Sequence, residues 1–149
     1  MSPEAAPPSL RTRHLFDEQY LLIGRQGHPA LAEALTLERF LALEHVVVSL
    51  QGGSFVTPVD EALAASGQRR NVVLSASSFL FVPQLVRQSD LVAIVPQRLV
   101  QDRQEGLRLL PCPLPVEGFS VGMVWHERSQ THSGHRWIRE QVGYVADSA

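Results

Sequence analysis

The run Leu91-Val92-Ala93-Ile94-Val95, closed by Pro96, constrains this chain more than any other stretch. Consecutive apolar and β-branched residues cannot keep one face in water when extended, so a strand built from them is covered on both sides. His45-Val46-Val47-Val48-Ser49 and residues 71 to 75 repeat the pattern upstream. Helical segments fall between and after these runs. Thr57-Pro58-Val59-Asp60 combines a hydroxyl cap, a proline at the first helical position and an acid in the first turn, and opens a helix expected to run to about Ser66 and stop at Gly67. Ser77 and Ser78 are caps for a helix striped by Val82, Leu85 and Val86, with Pro83 near its first turn. Pro96 opens a helix over residues 97 to 104. Three such alternations imply right-handed crossovers and a doubly wound α/β lobe.

The flanks follow a different rhythm. A Pro/Ala-rich flexible segment over residues 1 to 9 precedes two extended stretches, 10 to 16 and 19 to 24, which form either a hairpin or strands of different sheets. Gly27-His28-Pro29 breaks the chain, residues 30 to 34 make a helical turn, and Thr36 caps a short helix with Leu37, Phe40 and Leu41 on one face. Downstream, residues 107 to 110 read as a short strand and 111 to 115 as an irregular crossing. Residues 118 to 125 alternate, with Phe119, Val121, Met123 and Trp125 on one side. A final helix spans 133 to 143, with Trp137, Ile138 and Val142 facing inward.

Composition removes several function classes. Thirteen Lys plus Arg against fifteen Asp plus Glu leave a net charge of -2 and no basic run, so this segment is not built to grip a phosphate backbone. Cys112 is the single cysteine and stands between two prolines, which excludes an internal disulfide or a cysteine-rich zinc site and suits a reducing cytoplasm. No apolar run reaches the ~18 to 20 residues that a membrane span needs, and the N-terminus has no export pattern. The expectation is therefore a soluble, cytoplasmic protein. His126, His132 and His135 are close in sequence but lack ligand spacing on one helix, so they read as solvated loop residues and no metal is expected. No nucleophile elbow, phosphate loop or dinucleotide fingerprint occurs, and no catalytic residue or cofactor is expected.

Several stretches taken in order resemble a known family. Asp17-Glu18-Gln19-Tyr20 leads to Gly27-His28-Pro29, then to Leu35-Thr36-Leu37 and His45 to Ser49. The most specific part is Phe81-Val82-Pro83-Gln84-Leu85-Val86 followed by Ser89-Asp90-Leu91-Val92-Ala93-Ile94-Val95-Pro96. Trp125-His126-Glu127-Arg128 and His135-Arg136-Trp137-Ile138-Arg139 complete it. Together, over roughly residues 10 to 142, they resemble the C-terminal effector-binding domain of LysR-type transcriptional regulators, especially the NodD-like branch. The resemblance implies a periplasmic-binding-protein-like (type 2) α/β fold of two lobes joined by crossing strands, the first lobe incomplete and the N-terminal DNA-binding module absent. It places part of lobe one and the first crossover at 10 to 29, the complete second lobe at 30 to 110, the return into lobe one at 111 to 142 and a tail at 143 to 149. It also implies a small-molecule effector, a homo-oligomer such as a side-by-side dimer, and DNA contact only through the absent module; the hydroxyls and helix N-termini of the loops named next make an organic anion the expected effector.

In an open parallel sheet, ligands gather where strands end and helices begin, because unpaired N–H groups point outward there. The candidate effector contacts are Ser49, Gly52, Gly53 and Ser54 in the first such loop, Ser77, Ser78 and Phe79 in the second, and Val95 and Pro96 in the third. Each has a plainer role: capping for the serines, a positive-φ turn for the glycines and core packing for Phe79. Both sets of roles stay open from sequence. Two other function classes compete with sensing: a transport solute-binding protein of the same fold, and a small α/β enzyme using His45 or His126 as base. A degenerate fragment without any ligand is the remaining alternative.

Overall fold

A computed structural model describes residues 9–50 and 52–148. Most of the segment read as flexible, residues 1 to 8, lies outside the described residues. The described chain forms two compact units, one made of residues up to Gln19 together with those from Gly118 onward, the other Tyr20–Glu117.

The larger unit is a five-stranded sheet. In chain order it contains β2 (Tyr20–Arg25), α1 (Leu37–Leu41), β3 (Glu44–Val48), α2 (Pro58–Ala65), β4 (Asn71–Ala76), α3 (Val82–Arg87), β5 (Val92–Pro96), α4 (Gln97–Val100) and β6 (Leu107–Leu110). The spatial order is β4-β3-β5-β2-β6. β4, β3 and β5 run parallel, while β2 is antiparallel to both β5 and β6. The apolar run at 91 to 95 thus supplies a central strand, as its composition demanded. Adjacent residues on β2 show the two-sided burial directly. Leu22 joins a cluster with Leu31, Phe40 and Val92, whereas Ile23 joins Val46, Val82, Val86, Ala93, Val95 and Val100 on the other face. All of these are at most 2% exposed.

Local signals set the helix ends. Thr36 accepts the Arg39 N–H at 3.2 Å and starts α1. Thr57, Pro58 and Asp60 start α2, and Gly67, at φ 68°, ends it in the left-handed region that only glycine enters without strain. Ser78 caps the short 3-10 turn Phe79–Phe81 that leads into α3, with Pro83 in its first turn. The expected turn after residue 29 is the 3-10 segment Pro29–Leu31, held by His28, whose Nδ1 accepts the Ala30 N–H at 3.1 Å while Nε2 donates to the Asp90 carbonyl at 2.8 Å.

Some expectations are corrected. α4 ends at Val100 rather than Gln104. Beyond Val100 the residues from Asp102 to Glu105 are exposed, so no apolar stripe rewards a second turn. Within residues 10 to 29, which the resemblance gives to part of lobe one and the first crossover, β2 pairs with β5 and β6 of the five-stranded sheet.

The smaller unit pairs β1 (Leu10–Glu18) with β7 (Phe119–His126) antiparallel, with a register irregularity between His14 and Phe16. The stretches 10 to 16 and 19 to 24 are therefore strands of different sheets, not a hairpin. Gly118 is a packing requirement, since any Cβ there would strike the backbone carbonyl of Glu18. α5 (Ser133–Ser148) is longer than expected and turned the other way. Trp137, Ile138 and Val142 are 62%, 56% and 38% exposed, not inward. The buried position is Gly143, which leaves room for the Arg13 guanidinium. Arg139 fixes the other end of that face, with its guanidinium 4.5 Å over the Trp125 ring and a 2.7 Å bond to the Gln130 carbonyl.

Candidate functional site

The parallel strands β4, β3 and β5 end side by side at Ala76, Val48 and Pro96. Ser49 and Ser77 follow the first two, and the Ser49 N–H donates to the Ala76 carbonyl at 2.9 Å. The sheet therefore brings Ser49, Ser77 and Pro96 to one edge, where parallel sheets place their ligand-facing loops.

Beside that edge, within the larger unit, lies a cavity of about 390 Å³. β3 contributes Val46, Val47 and Val48, β5 contributes Ile94, and β2 contributes Tyr20 from the position opposite Pro96. Thr57, Pro58, Val59 and Ala62 of the α2 start form one wall, Pro115, Val116 and Glu117 another, with Arg70 and Phe79 completing the lining.

Of the predicted contacts, Phe79 lines this cavity, and it also packs against the core around Ile23 and Val95. The others are at the edge but not in the lining. The Ser78 hydroxyl accepts the Leu80 N–H at 3.2 Å, so capping occupies it. Ser54 is exposed and bonds locally, its Oγ donating to the Val56 carbonyl at 3.0 Å and its carbonyl accepting from Ser75 Oγ at 2.7 Å. Gly52 and Gly53 have φ of 80° and 77°, the turn conformation that explains both glycines. Val95 is fully buried, so its side chain faces the core.

Sequence reading missed the polar element of the lining. The Arg70 side chain is 2% exposed and pairs with Asp60, Nε to Oδ1 at 2.7 Å and Nη2 to Oδ2 at 3.1 Å. Nη2 also donates to Thr57 Oγ1 at 3.2 Å, and the Thr57 hydroxyl and N–H both donate to Asp60 Oδ2 at 2.8 Å. Burial alone would raise the Asp60 pKa, but the Arg70 bond and then those from Thr57 outweigh it and hold the carboxyl below its ordinary value. The cap signal Thr57-Pro58-Val59-Asp60 was legible. Its second use, clamping an arginine ten residues later in sequence, carries no local signature.

The candidate bases are differently placed. His45 is fully buried, its Nε2 donates to the Phe40 carbonyl at 2.8 Å, and its Nδ1 has no partner among the described residues. Burial above all lowers its pKa to about 4, against the opposing pull of the Phe40 carbonyl. His126 Nδ1 accepts the Arg128 N–H at 3.1 Å, and His132 stacks edge-on with His135 at 5.0 Å. Among the described residues no three His, Cys, Asp or Glu gather as a metal site would require, and no helix is long and apolar enough to cross a membrane. Burial raises the Cys112 thiol to about 11, so it is held as the unreactive thiol.

A mixed α/β sheet covered on both faces, with an apolar cavity beside the carboxyl ends of its parallel strands, defines the class of small-molecule-binding α/β domains. Within that class, residues 1–146 match the LysR substrate binding domain, and the chain belongs to this family, whose regulatory domains have the periplasmic-binding-protein-like type 2 fold. It is 31% identical over 147 residues to the transcriptional regulator SyrM of Rhizobium meliloti, covering 97% of this chain and 45% of SyrM. It is 34% identical over 139 residues to LinR of Sphingobium indicum, covering 91% of this chain and 46% of LinR. The crystal structure of the probable transcriptional regulator PA0477 from Pseudomonas aeruginosa superposes with a TM-score of 0.76 at 29% identity, over 93% of this chain and 46% of that one. The chain thus spans about half the length of the curated relatives it matches. It is an effector-binding regulatory domain of the LysR type.

Proposed function

We propose that Tyr20–Glu117 is the ligand-bearing lobe of a small-molecule sensor, and that the smaller unit belongs to its other lobe. The observation that supports this reading most is the cavity beside the carboxyl edge of β3 and β5, walled by the first turn of α2. Effector contacts come from Phe79 in the lining and from the edge loops at Ser49, Gly52, Gly53, Ser54, Ser77, Ser78 and Pro96. Val95 contributes only its backbone.

Binding here is without chemistry. The larger unit buries two imidazoles, and both are spent on backbone groups, His45 on the Phe40 carbonyl and His28 on the Asp90 carbonyl and the Ala30 N–H. The domain operates in the cytoplasm as part of a homo-oligomeric regulator, and DNA contact belongs to another part of that protein. Signalling requires only that the effector prefer one lobe arrangement over another, by a few kcal/mol at most.

A thermal-shift screen of this chain against fractionated metabolites tests the reading. A ligand that binds only the folded form raises the midpoint in proportion to RT ln(1 + [L]/Kd). The shift is expected to shrink in Ser49→Ala and Ser77→Ala variants. Absence of any stabilising fraction overturns the sensor assignment, and a shift unaffected by either serine removes the edge loops from the site.

A further inference from the structure

The electrostatics of the cavity select a ligand class, an inference that rests on the sensor reading above. Its floor is hydrocarbon, Val47 and Ile94 side by side on neighbouring parallel strands. Arg70 is the one cation among its lining residues, and that charge is already matched. Asp60 takes two guanidinium bonds at 2.7 and 3.1 Å with the arginine side chain only 2% exposed, so the pair presents a net charge of zero. The remaining charged group of the lining is Glu117, an acid. A carboxylate entering this space would leave water with no free counter-charge and would face a like charge. Removing a charge from water is unfavourable unless the ion is paired.

We propose that this cavity takes an uncharged, ring-sized organic molecule with a hydrogen-bond donor toward Glu117, and not the organic anion expected from helix termini and serine hydroxyls. The volume of about 390 Å³ is at the small end of ligand pockets, which suits one or two rings. Phe79 offers an aromatic face at its boundary. At this wall the α2 terminus draws no further anion, because Asp60 already occupies its first turn as the acid that a helix start favours, accepting the Thr57 N–H.

Benzamide and benzoate share a ring and nearly the same outline, and differ in the two properties proposed here, the charge and the N–H donor that only benzamide carries. Ligand-observed NMR titrations of this chain near neutral pH are expected to show benzamide binding at least about tenfold more tightly than benzoate, a difference of about 1.4 kcal/mol. Ala62→Phe, on an exposed face of α2 at the cavity wall, is expected to abolish benzamide binding while circular dichroism stays unchanged. Glu117→Gln is expected to narrow the gap between the two probes. Equal or tighter benzoate binding, no binding of either probe, or benzamide binding that survives Ala62→Phe overturns the proposal. If the metabolite screen yields an anionic ligand that Ala62→Phe displaces, the neutral-ligand inference falls while the sensor reading stands. If it yields no ligand at all, the sensor reading falls with it.

Discussion

The His45 ring lies in the core of the larger unit, edge-on to Phe40 at 4.6 Å, and its neutral form is the one the fold holds. Desolvation chiefly moves its pKa from the ordinary 6.5 to about 4. Between those values the unfolded chain binds a proton that the folded chain refuses, so acidification favours unfolding. The urea midpoint is expected to drop as pH is lowered from 6.5 toward 4, with a shallower drop in His45→Gln. Asp60 acts in a separate window. Its carboxyl is depressed from 3.8, so its contribution is complete above that value and is lost only as pH falls further through the lowered one. Asp60→Asn leaves the Arg70 guanidinium buried without its counter-charge, and the loss is expected to be about 3 to 5 kcal/mol at neutral pH by urea unfolding. The sequence displays Asp60 as a helix-start acid and Arg70 as one more surface-type cation. That the two meet under α2 depends on where the β4 entry falls, and no neighbour of either residue encodes it.

At the scale of elements, the parallel strands and the starts of α1 and α2 were readable because their determinants are local. A hydroxyl cap, an N1 proline and a stop glycine act within four residues, and continuous β-branched runs state their own burial. Orientation is another matter. α5 shows an apolar stripe whose inward assignment is wrong, because the helix docks through Gly143 against Arg13 and through Arg139 against Trp125 instead. A helix can bury a narrow or even a polar face if its partner supplies a matching surface, and the sequence of the helix alone does not name that partner. Substituting Trp137 by Gln is expected to change thermal stability by no more than about 0.5 kcal/mol, as at an exposed site. Gly143→Leu, in the same helix, is expected to cost about 1 to 3 kcal/mol by overpacking against Arg13. The reverse ranking would restore the inward assignment. α4 failed at its C-terminus for a related reason, since a good helix former with no apolar face has nothing to pack.

For the molecule as a whole, stability concentrates where both faces of the sheet are covered. β2, β3 and β5 carry Leu22, Ile23, Val46, Val92 and Val95, all at most 2% exposed, whereas the edge strand β4 leaves Val73 and Leu74 at 41% and 37%. Native-state hydrogen exchange is accordingly expected to be slowest in β2, β3 and β5 and faster in β4. Phe40→Ala, which empties the centre of one face, is expected to cost about 3 to 5 kcal/mol. By itself the sequence determined the α/β class, the strand-helix alternation and the family resemblance, because these rest on periodicity, capping and ordered motifs that lie contiguous in the chain. Only the tertiary structure decided that the cavity is lined by Val47, Ile94, Arg70 and Glu117 more than by the edge serines, and that its one cation is cancelled. The physical reason is range: caps and burial patterns act over a few residues, whereas a cavity and its charge are set by side chains that meet from strands β2, β3 and β5, helix α2 and the segment after β6.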